Sequence, residues 1–188
     1  MYTLFIDTHS EKLLISLLKD EKILEEISKE EKNHSVYLMP SINDILNNNH
    51  IEVDNIDQII VVNGPGSFTG VRLGVTVAKT LAYTLNAKIY PISSLEVYGE
   101  SANEEFDLIC IKDSKGVYSA RKEKSEYRDF EYRKNDDFNN YIESNRFKPI
   151  FSERIDLIKV LNYIKNKESV NLHSVNPLYV KLIDVEKW

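Results

Sequence analysis

The glycine-rich segment Asn63-Gly64-Pro65-Gly66-Ser67-Phe68-Thr69-Gly70 contains the residue types most suited to chemistry. It follows an apolar run, Asp57–Val62, and precedes a helix predicted from about Val71 to Leu85. Glycines allow close backbone approach, and free N–H groups at a helix start bind anions. We therefore predict a structural or anion-binding loop formed by Gly64, Gly66, Ser67, Thr69, Gly70 and Arg72.

The spacing in this loop differs from that of known phosphate-binding loops. A P-loop ends in Gly-Lys-Ser/Thr, whereas Gly70 is followed by Val71 and Arg72. The alternative interpretation is a turn in which Ser67 or Thr69 caps the helix. The spacing favours this structural role, and anion binding by the loop remains the alternative.

Other residue types used in catalysis are scattered along the chain. Asp7 ends the first predicted strand, where an Asp more commonly caps a turn than holds a metal. The only cysteine, Cys110, lies in an apolar run and is predicted to be a buried structural thiol. The histidines have no helical pair spacing for a metal, and we predict caps or surface positions for His9, His34, His50 and His173. The sequence thus predicts no catalytic residue and no metal site.

Two predicted helices are nearly free of charge. The helix after the glycine-rich loop has small residues at every fourth position, beside an apolar row, and a helix apolar over most of its girth is covered on most sides. A neighbouring helix of the same chain or another subunit could cover the small row, and we favour another subunit. The partner interface predicted from this helix is Gly70, Leu73, Gly74, Val77, Ala78, Leu81 and Ala82.

The order of predicted elements indicates an α/β protein with two lobes. An N-terminal lobe over residues 1–100 begins with three meander strands and continues helix, strand, helix, strand. A shortened C-terminal α/β lobe covers residues 101–188. Its predicted strands are Asp107–Ile111, Gly116–Lys122, Tyr127–Arg133 and Lys148–Phe151, its predicted helices are Asp136–Glu143 and Glu153–Asn166, and an extended tail follows at Asn176–Lys181.

Charge and composition restrict the classes of function. The net charge of −6 falls on residues 1–100, which have 8 Lys and Arg against 14 Asp and Glu. An acidic lobe is a poor ligand for a phosphate backbone, so RNA is expected to be held mostly by another chain. Apolar runs are too short to span a bilayer, the N-terminus does not look like a signal peptide, and a lone cysteine suits a reducing compartment. We expect a cytoplasmic protein without membrane contact.

Several segments together resemble the TsaB (YeaZ) family, whose members take part in making threonylcarbamoyladenosine on tRNA. The segments are Phe5–Thr8, His34-Ser35, Gly64–Gly74, Ser93–Leu95, Asp113 with Val117-Tyr118, and Pro177–Lys181. The resemblance implies an actin-like, sugar-kinase-like ATPase fold of the ribonuclease H-like class. It also implies a non-catalytic scaffold that activates the catalytic subunit TsaD, with both partners using the helices opened by His34-Ser35 and by Val71. The resemblance thus adds Ser35, Met39, Ile42 and Leu46 of the first helix to the predicted partner interface.

The resemblance implies further partners as well. A small ATPase, TsaE, joins the complex; ATP and magnesium are used by partner subunits, and this chain binds no cofactor tightly. The chain pairs with itself when TsaD is absent, and it meets tRNA only through the complex, at the adenosine beside the anticodon of ANN-decoding tRNAs. Two departures from the family pattern, His9 and the run Asp113-Ser114-Lys115-Gly116, concern ligand roles and leave the helices untouched.

Two alternatives remain open at this point. The first is a stand-alone ATPase or kinase of the same fold, although the hairpin Asp7-Thr8-His9-Ser10 lacks the glycine that lets a backbone approach a nucleotide. The second is a glycopeptidase-like hydrolase, although the histidines are dispersed and the residues around Ser67 do not form a nucleophile elbow.

Overall fold

The computed structural model describes residues 1–30 and 33–181, which form two compact units. The first unit contains Met1–Ser94 and Asp156–Leu178, and the second contains Leu95–Ile155 with the described residues from Tyr179 onward. This division corrects the predicted boundary near residue 100. The first unit ends at Ser94, and the chain returns to it at Asp156, after the segment that forms most of the second unit. This return could not be predicted, since the pattern of an amphipathic helix does not indicate which unit the helix packs on.

The first unit is built on a five-stranded mixed sheet with the order β3-β2-β1-β4-β5. Its strands are β1 (Tyr2–Asp7), β2 (Lys12–Lys19), β3 (Lys22–Glu30), β4 (Ile56–Val62) and β5 (Lys88–Ile92). Strand β2 is antiparallel to β1 and β3, whereas β1, β4 and β5 are parallel. This order and polarity confirm the predicted ribonuclease H-like, actin-like class for the first unit.

Helices α1 (His34–Asn48) and α2 (Phe68–Leu85) cover one face of this sheet. Both are crossovers between parallel strands, from β3 to β4 and from β4 to β5, so they run in the same direction and contact each other. The central strands are buried on both faces and read as continuous apolar runs, as expected for such strands. The shared core includes Leu4, Ile6, Leu13, Ile15, Ile42, Ile45, Ile59, Val61, Val75 and Ala78.

The returning segment adds helix α5 (Leu157–Lys165) and a tail to the first unit. Helix α5 contacts β3, and Lys165 pairs with Glu21. The helix starts later than predicted because the Asp156 carboxylate accepts from the Lys159 N–H and caps it. The tail then follows the sheet, and the Val170 N–H donates to the Ile89 carbonyl at 3.1 Å. The predicted extended tail is therefore confirmed as far as Lys181.

The second unit has a four-stranded sheet with the order β8-β7-β6-β9. The strands are β6 (Leu108–Asp113), β7 (Gly116–Glu123), β8 (Glu126–Lys134) and β9 (Pro149–Phe151), accompanied by helices α3 (Ser94–Ser101) and α4 (Asn135–Asn145). Leu108, Cys110, Val117 and Phe138 form a small core between sheet and α4. Cys110 is buried as predicted, and burial raises the pKa of its thiol to about 12.

Candidate partner interface and switch-point loop

The glycine-rich loop lies at the topological switch point of the first sheet. Strand β1 turns back into the hairpin towards β2, whereas the neighbouring β4 crosses over to β5 through α2. Open α/β sheets usually bind their ligands in the crevice outside the carboxyl ends of such strands. The residues that leave these two ends are therefore the first place to look for a ligand site.

The chain's own atoms fill this crevice. The Ser67 N–H donates to the His9 carbonyl at 2.7 Å, and the Thr8 hydroxyl donates to the Gly70 carbonyl at 2.7 Å. A Cβ added at Gly66 would lie 2.2 Å from the His9 carbonyl oxygen, and one at Gly70 would lie 2.1 Å from that of Thr8. Glycine is needed at both positions because the β1–β2 hairpin packs against the backbone of the loop and leaves no room for a side chain.

The loop also starts helix α2. The Ser67 hydroxyl accepts from the Gly70 N–H at 3.2 Å, so α2 begins at Phe68 and not at Val71 as predicted. Of the N–H groups that a bound phosphate would need, those of Ser67 and Gly70 already have partners in the chain. The capping role of Ser67 is confirmed; anion binding by Gly64, Gly66, Ser67, Thr69, Gly70 and Arg72 stays a prediction that these contacts do not support.

The hairpin beside the loop contains a buried acid and histidine. The Asp7 carboxylate lies 2.6 Å from Nδ1 of His9 and also accepts the His9 N–H at 3.0 Å. Asp7 thus caps its turn as expected, but the prediction of a cap or surface position is wrong for His9. It is also wrong for His34, which is buried at the start of α1 with Nε2 3.1 Å from the Glu11 carbonyl oxygen. Sequence spacing missed both because their burial comes from tertiary packing.

Six of the predicted interface residues are buried inside the first unit. Ile42 and Leu46 belong to its core, and the small row of α2, Gly70, Gly74, Ala78 and Ala82, faces the chain's own sheet and hairpin. A Cβ at Gly74 would lie 2.3 Å from the Thr8 hydroxyl oxygen. These six positions are corrected from partner contacts to core residues, because small side chains let α2 approach its own sheet closely.

The outward surfaces of α1 and α2 carry large apolar side chains. The exposed fractions are 58% for Val36, 48% for Met39, 45% for Phe68 and 76% for Tyr83. Half-buried apolar residues of α2 flank them. We define the α1–α2 face as Ser35, Val36, Met39, Phe68, Leu73, Thr76, Val77, Thr80, Leu81 and Tyr83.

Five members of this face were predicted, namely Ser35, Met39, Leu73, Val77 and Leu81, and for them a partner contact stays a prediction. The sequence reasoning left out Val36, Phe68 and Tyr83. An uncharged stretch containing large side chains was their only signal, and helical periodicity alone could not separate the exposed side from the buried side.

The α1–α2 face is poor in charge. In α1 and α2, both described in full, the exposed charged residues are Asp44 and Arg72 alone. The Arg72 guanidinium stacks over the Phe68 ring at 3.8 Å, and Lys79 turns to the Val175 carbonyl at 2.9 Å. The Thr80 hydroxyl donates within the helix, to the Thr76 carbonyl at 2.9 Å. Its proton therefore needs no acceptor from a partner.

In the second unit, the structure brings together two segments that the sequence separates widely. Lys181 of the tail donates to the Asp113 carboxylate at 2.8 Å, and the Tyr132 hydroxyl donates to the same oxygen at 2.9 Å. The Lys181 hydrogen bond, followed by that of Tyr132, holds the pKa of Asp113 below its usual value. Burial raises the pKa of Tyr118, whose ring centroid is 4.9 Å from that of Tyr132.

Residues 1–30 and 33–181 contain no group of three or more His, Cys, Asp or Glu side chains placed to hold a metal ion. In the same part of the chain no helix is both long enough and apolar enough to cross a bilayer.

Comparison with known proteins gives one consistent result. The family model TsaD, described as tRNA N6-adenosine threonylcarbamoyltransferase, matches residues 22–135. The tRNA threonylcarbamoyladenosine biosynthesis protein TsaB of Bacillus subtilis is 45% identical over 110 residues, 58% of this chain and 48% of that protein. TsaB of Haemophilus influenzae is 34% identical over 103 residues, 54% of this chain and 43% of that protein.

The solved structure of YeaZ from Pseudomonas aeruginosa has the same fold. It superposes with a TM-score of 0.73 at 21% identity, and the match covers 95% of this chain and 100% of that one. In sequence, the chain matches less than half the length of the two relatives above, at 48% and 43%. The family match extends over more than half of this chain, and the chain therefore belongs to the TsaD family, among its TsaB (YeaZ) members.

Proposed function

We propose that this chain is a non-catalytic subunit that pairs with a TsaD-like catalytic subunit in the synthesis of threonylcarbamoyladenosine on tRNA. The observation that carries the proposal is the α1–α2 face, a surface with large exposed apolar side chains and very little charge in a chain that is 29% charged overall.

The composition of the face is that of a protein interface. Interface cores are depleted in Lys, Glu and Asp and enriched in aromatic residues, Met and Arg. The face contains Met39, Phe68 and Tyr83, and Arg72 stacks at its border. Large contiguous apolar surfaces on single chains commonly mark binding sites. Since the buried side of each helix already packs on the sheet, the exposed side remains available for a partner.

The filled switch point supports a non-catalytic role. A kinase or ATPase of this class needs room for a nucleotide at the carboxyl ends of β1 and β4. Here Thr8, His9, Ser67 and Gly70 contact each other across that position. The contacts leave the chemistry, including the use of ATP and magnesium, to partner subunits. No observation favours the kinase or glycopeptidase alternative.

The other proposed partners rest on the family resemblance, on the same face and on charge. A TsaE-like ATPase joins the complex, and tRNA is held mainly by the other subunits because residues 1–100 are acidic, with 8 Lys and Arg against 14 Asp and Glu. In the absence of a TsaD-like partner, two copies of this chain cover each other's α1–α2 face.

The proposal is tested by measuring binding of the purified chain to a TsaD-like protein, and threonylcarbamoyl transfer with each component left out. Met39→Asp is expected to weaken binding by about 30-fold or more, since interface anchors are worth about 2 kcal/mol or more. Ile23→Asp is the matched control, because Ile23 is similarly exposed but lies on β3. Equal binding by Met39→Asp and wild type, or transfer that proceeds without this chain, would contradict the proposal.

A further inference from the structure

The tail of the first unit contains a short segment, Val175–Leu178, that we name the strap. Val175 is fully buried in the same core as Ala78 and Ala82 of α2. The last two residues of the strap, Pro177 and Leu178, begin Pro177–Lys181, a segment that the resemblance singled out and that the proposed function leaves without a role.

The backbone of the strap is held by residues of the loop before α2 and by a residue in the middle of α2. Lys79 Nζ donates to the Val175 carbonyl at 2.9 Å. The Asn63 side-chain amide donates to the Asn176 carbonyl at 3.0 Å, and the Leu178 N–H donates to the Asn63 carbonyl at 2.7 Å. Gly64, with φ at +101°, lies so close that an added Cβ would be 3.1 Å from the Leu178 carbonyl oxygen.

These contacts place the strap on one flank of α2, opposite the flank that packs towards α1. Lys79 lies within the helix, and Asn63 and Gly64 belong to the loop that starts it. The strap therefore fixes both the entry of the chain into α2 and the position of the helix midway along its length. On the other flank, Leu73, Val77 and Leu81 pack at the border of the core.

We propose that the strap is a positioning device for the α1–α2 face, with Lys79 and Asn63 as the positioning residues. The inference rests on the proposed function and adds a regulatory element to it. With the strap docked, α2 presents its exposed residues in the geometry that the partner meets. With the strap released, α2 loses its support on one flank, and the face becomes less well ordered.

The strap can release without unfolding the sheet. Three hydrogen bonds attach its backbone to Asn63 and Lys79, two of them donated by side chains, and a fourth, from the Val175 N–H to the Leu172 carbonyl, stays within the tail. The strap forms no part of the five-stranded sheet. Its release takes only the Val175 side chain out of the core, and such local opening costs less than the opening of a core strand. A ligand or a sequence change that acts on the tail would then alter partner binding without touching the face.

The test compares full-length Lys79→Met with wild type. Lys88→Met, which changes an exposed lysine on β5, is the control for loss of a lysine charge, and Lys79→Arg is the conservative variant. Loss of a charged hydrogen bond should make the Leu178 amide exchange with deuterium about tenfold faster. Amides of Thr76–Thr84 should also exchange faster, and affinity for the partner should fall about five- to tenfold. Lys79→Arg should restore all three readouts.

Three results would overturn the inference. Unchanged exchange at Leu178 would show that Lys79 does not hold the strap, and faster exchange there with unchanged exchange in α2 would show that the strap does not position the helix. Unchanged partner affinity despite a loosened α2 would overturn the link to the face. If wild type fails to bind the partner at all, the proposed function fails, and the exchange of α2 still decides whether the strap positions it.

Discussion

The contact between Gly74 and Thr8 allows a quantitative test of whether the small row of α2 serves the chain's own fold. Gly74 lies inside α2, where Gly is roughly 1 kcal/mol less favourable than Ala. Propensity alone therefore predicts that Gly74→Ala stabilises the protein. The structure predicts the opposite, because the new Cβ would lie 2.3 Å from the Thr8 hydroxyl oxygen.

The size of the effect follows from what can move. The Thr8 side chain is fully buried, and its hydroxyl donates to the Gly70 carbonyl at 2.7 Å, so rotating it away loses that hydrogen bond. Overpacking of this kind costs about 1–3 kcal/mol, which offsets the gain in helix propensity. We expect Gly74→Ala to destabilise the wild type by up to about 2 kcal/mol.

Removal of the Thr8 hydroxyl should reverse the sign. In Thr8→Ala, the nearest atom of residue 8 to the new Cβ is its own Cβ at 3.6 Å, an ordinary contact. Gly74→Ala should then stabilise the protein by about 1 kcal/mol, and the double-mutant cycle should show a coupling energy of about 1–3 kcal/mol. Thr8→Val is the matched control, because its second methyl group keeps the steric conflict.

Urea unfolding followed by far-ultraviolet circular dichroism measures all four corners of the cycle, with stability compared at equal denaturant slopes. The reasoning is refuted if Gly74→Ala stabilises wild type and Thr8→Ala equally, or if Thr8→Val relieves the conflict as well as Thr8→Ala does. Either result would mean that α2 does not approach the hairpin as closely as the structure shows, and the small row would again be available to a partner.

Two further predictions concern the second unit. Cys110, with a thiol pKa of about 12, should react with iodoacetamide at pH 8 only after unfolding; prompt modification of the folded protein would contradict its burial. The lowered pKa of Asp113 means that its pairing stabilises the fold above the unfolded value of about 3.9 and is lost as the pH falls through the folded value. The stability difference between wild type and Lys181→Met should therefore be present at pH 6 and vanish in acid, and a difference that grows in acid would refute the pairing.

Sequence reasoning anticipated the elements of both units because their periodicity is strong. The runs in β2 and β4 and the capping hydroxyl of Ser67 are local signals, and the structure confirms them. The reasoning failed where the decisive partner is distant in sequence. It predicted a cap or surface position for His9, although the distant glycine-rich loop packs against the hairpin that contains it, and it missed the return of α5 to the first unit.

The small row of α2 shows the same limit at the candidate site. Four-residue spacing indicates that another backbone approaches α2 closely along Gly70, Gly74, Ala78 and Ala82. It does not indicate whether that backbone belongs to the same chain or to a partner. The structure identifies the hairpin and the sheet of the same chain. The outward side of the helix, which includes Tyr83, then became the candidate interface because the inward side was already occupied.

The family, the order of the elements and the low charge of two helices depend on residue identity and local spacing, and they could therefore be predicted. The side of each helix that is buried and the filling of the switch point by the hairpin depend on tertiary contacts. The same is true of the tail, which holds α2 through Asn63 and Lys79. In the tail, the groups that accept from Asn63 and Lys79 are backbone carbonyls. Every residue has a backbone carbonyl, so the amino-acid sequence does not indicate which of them accepts such a hydrogen bond.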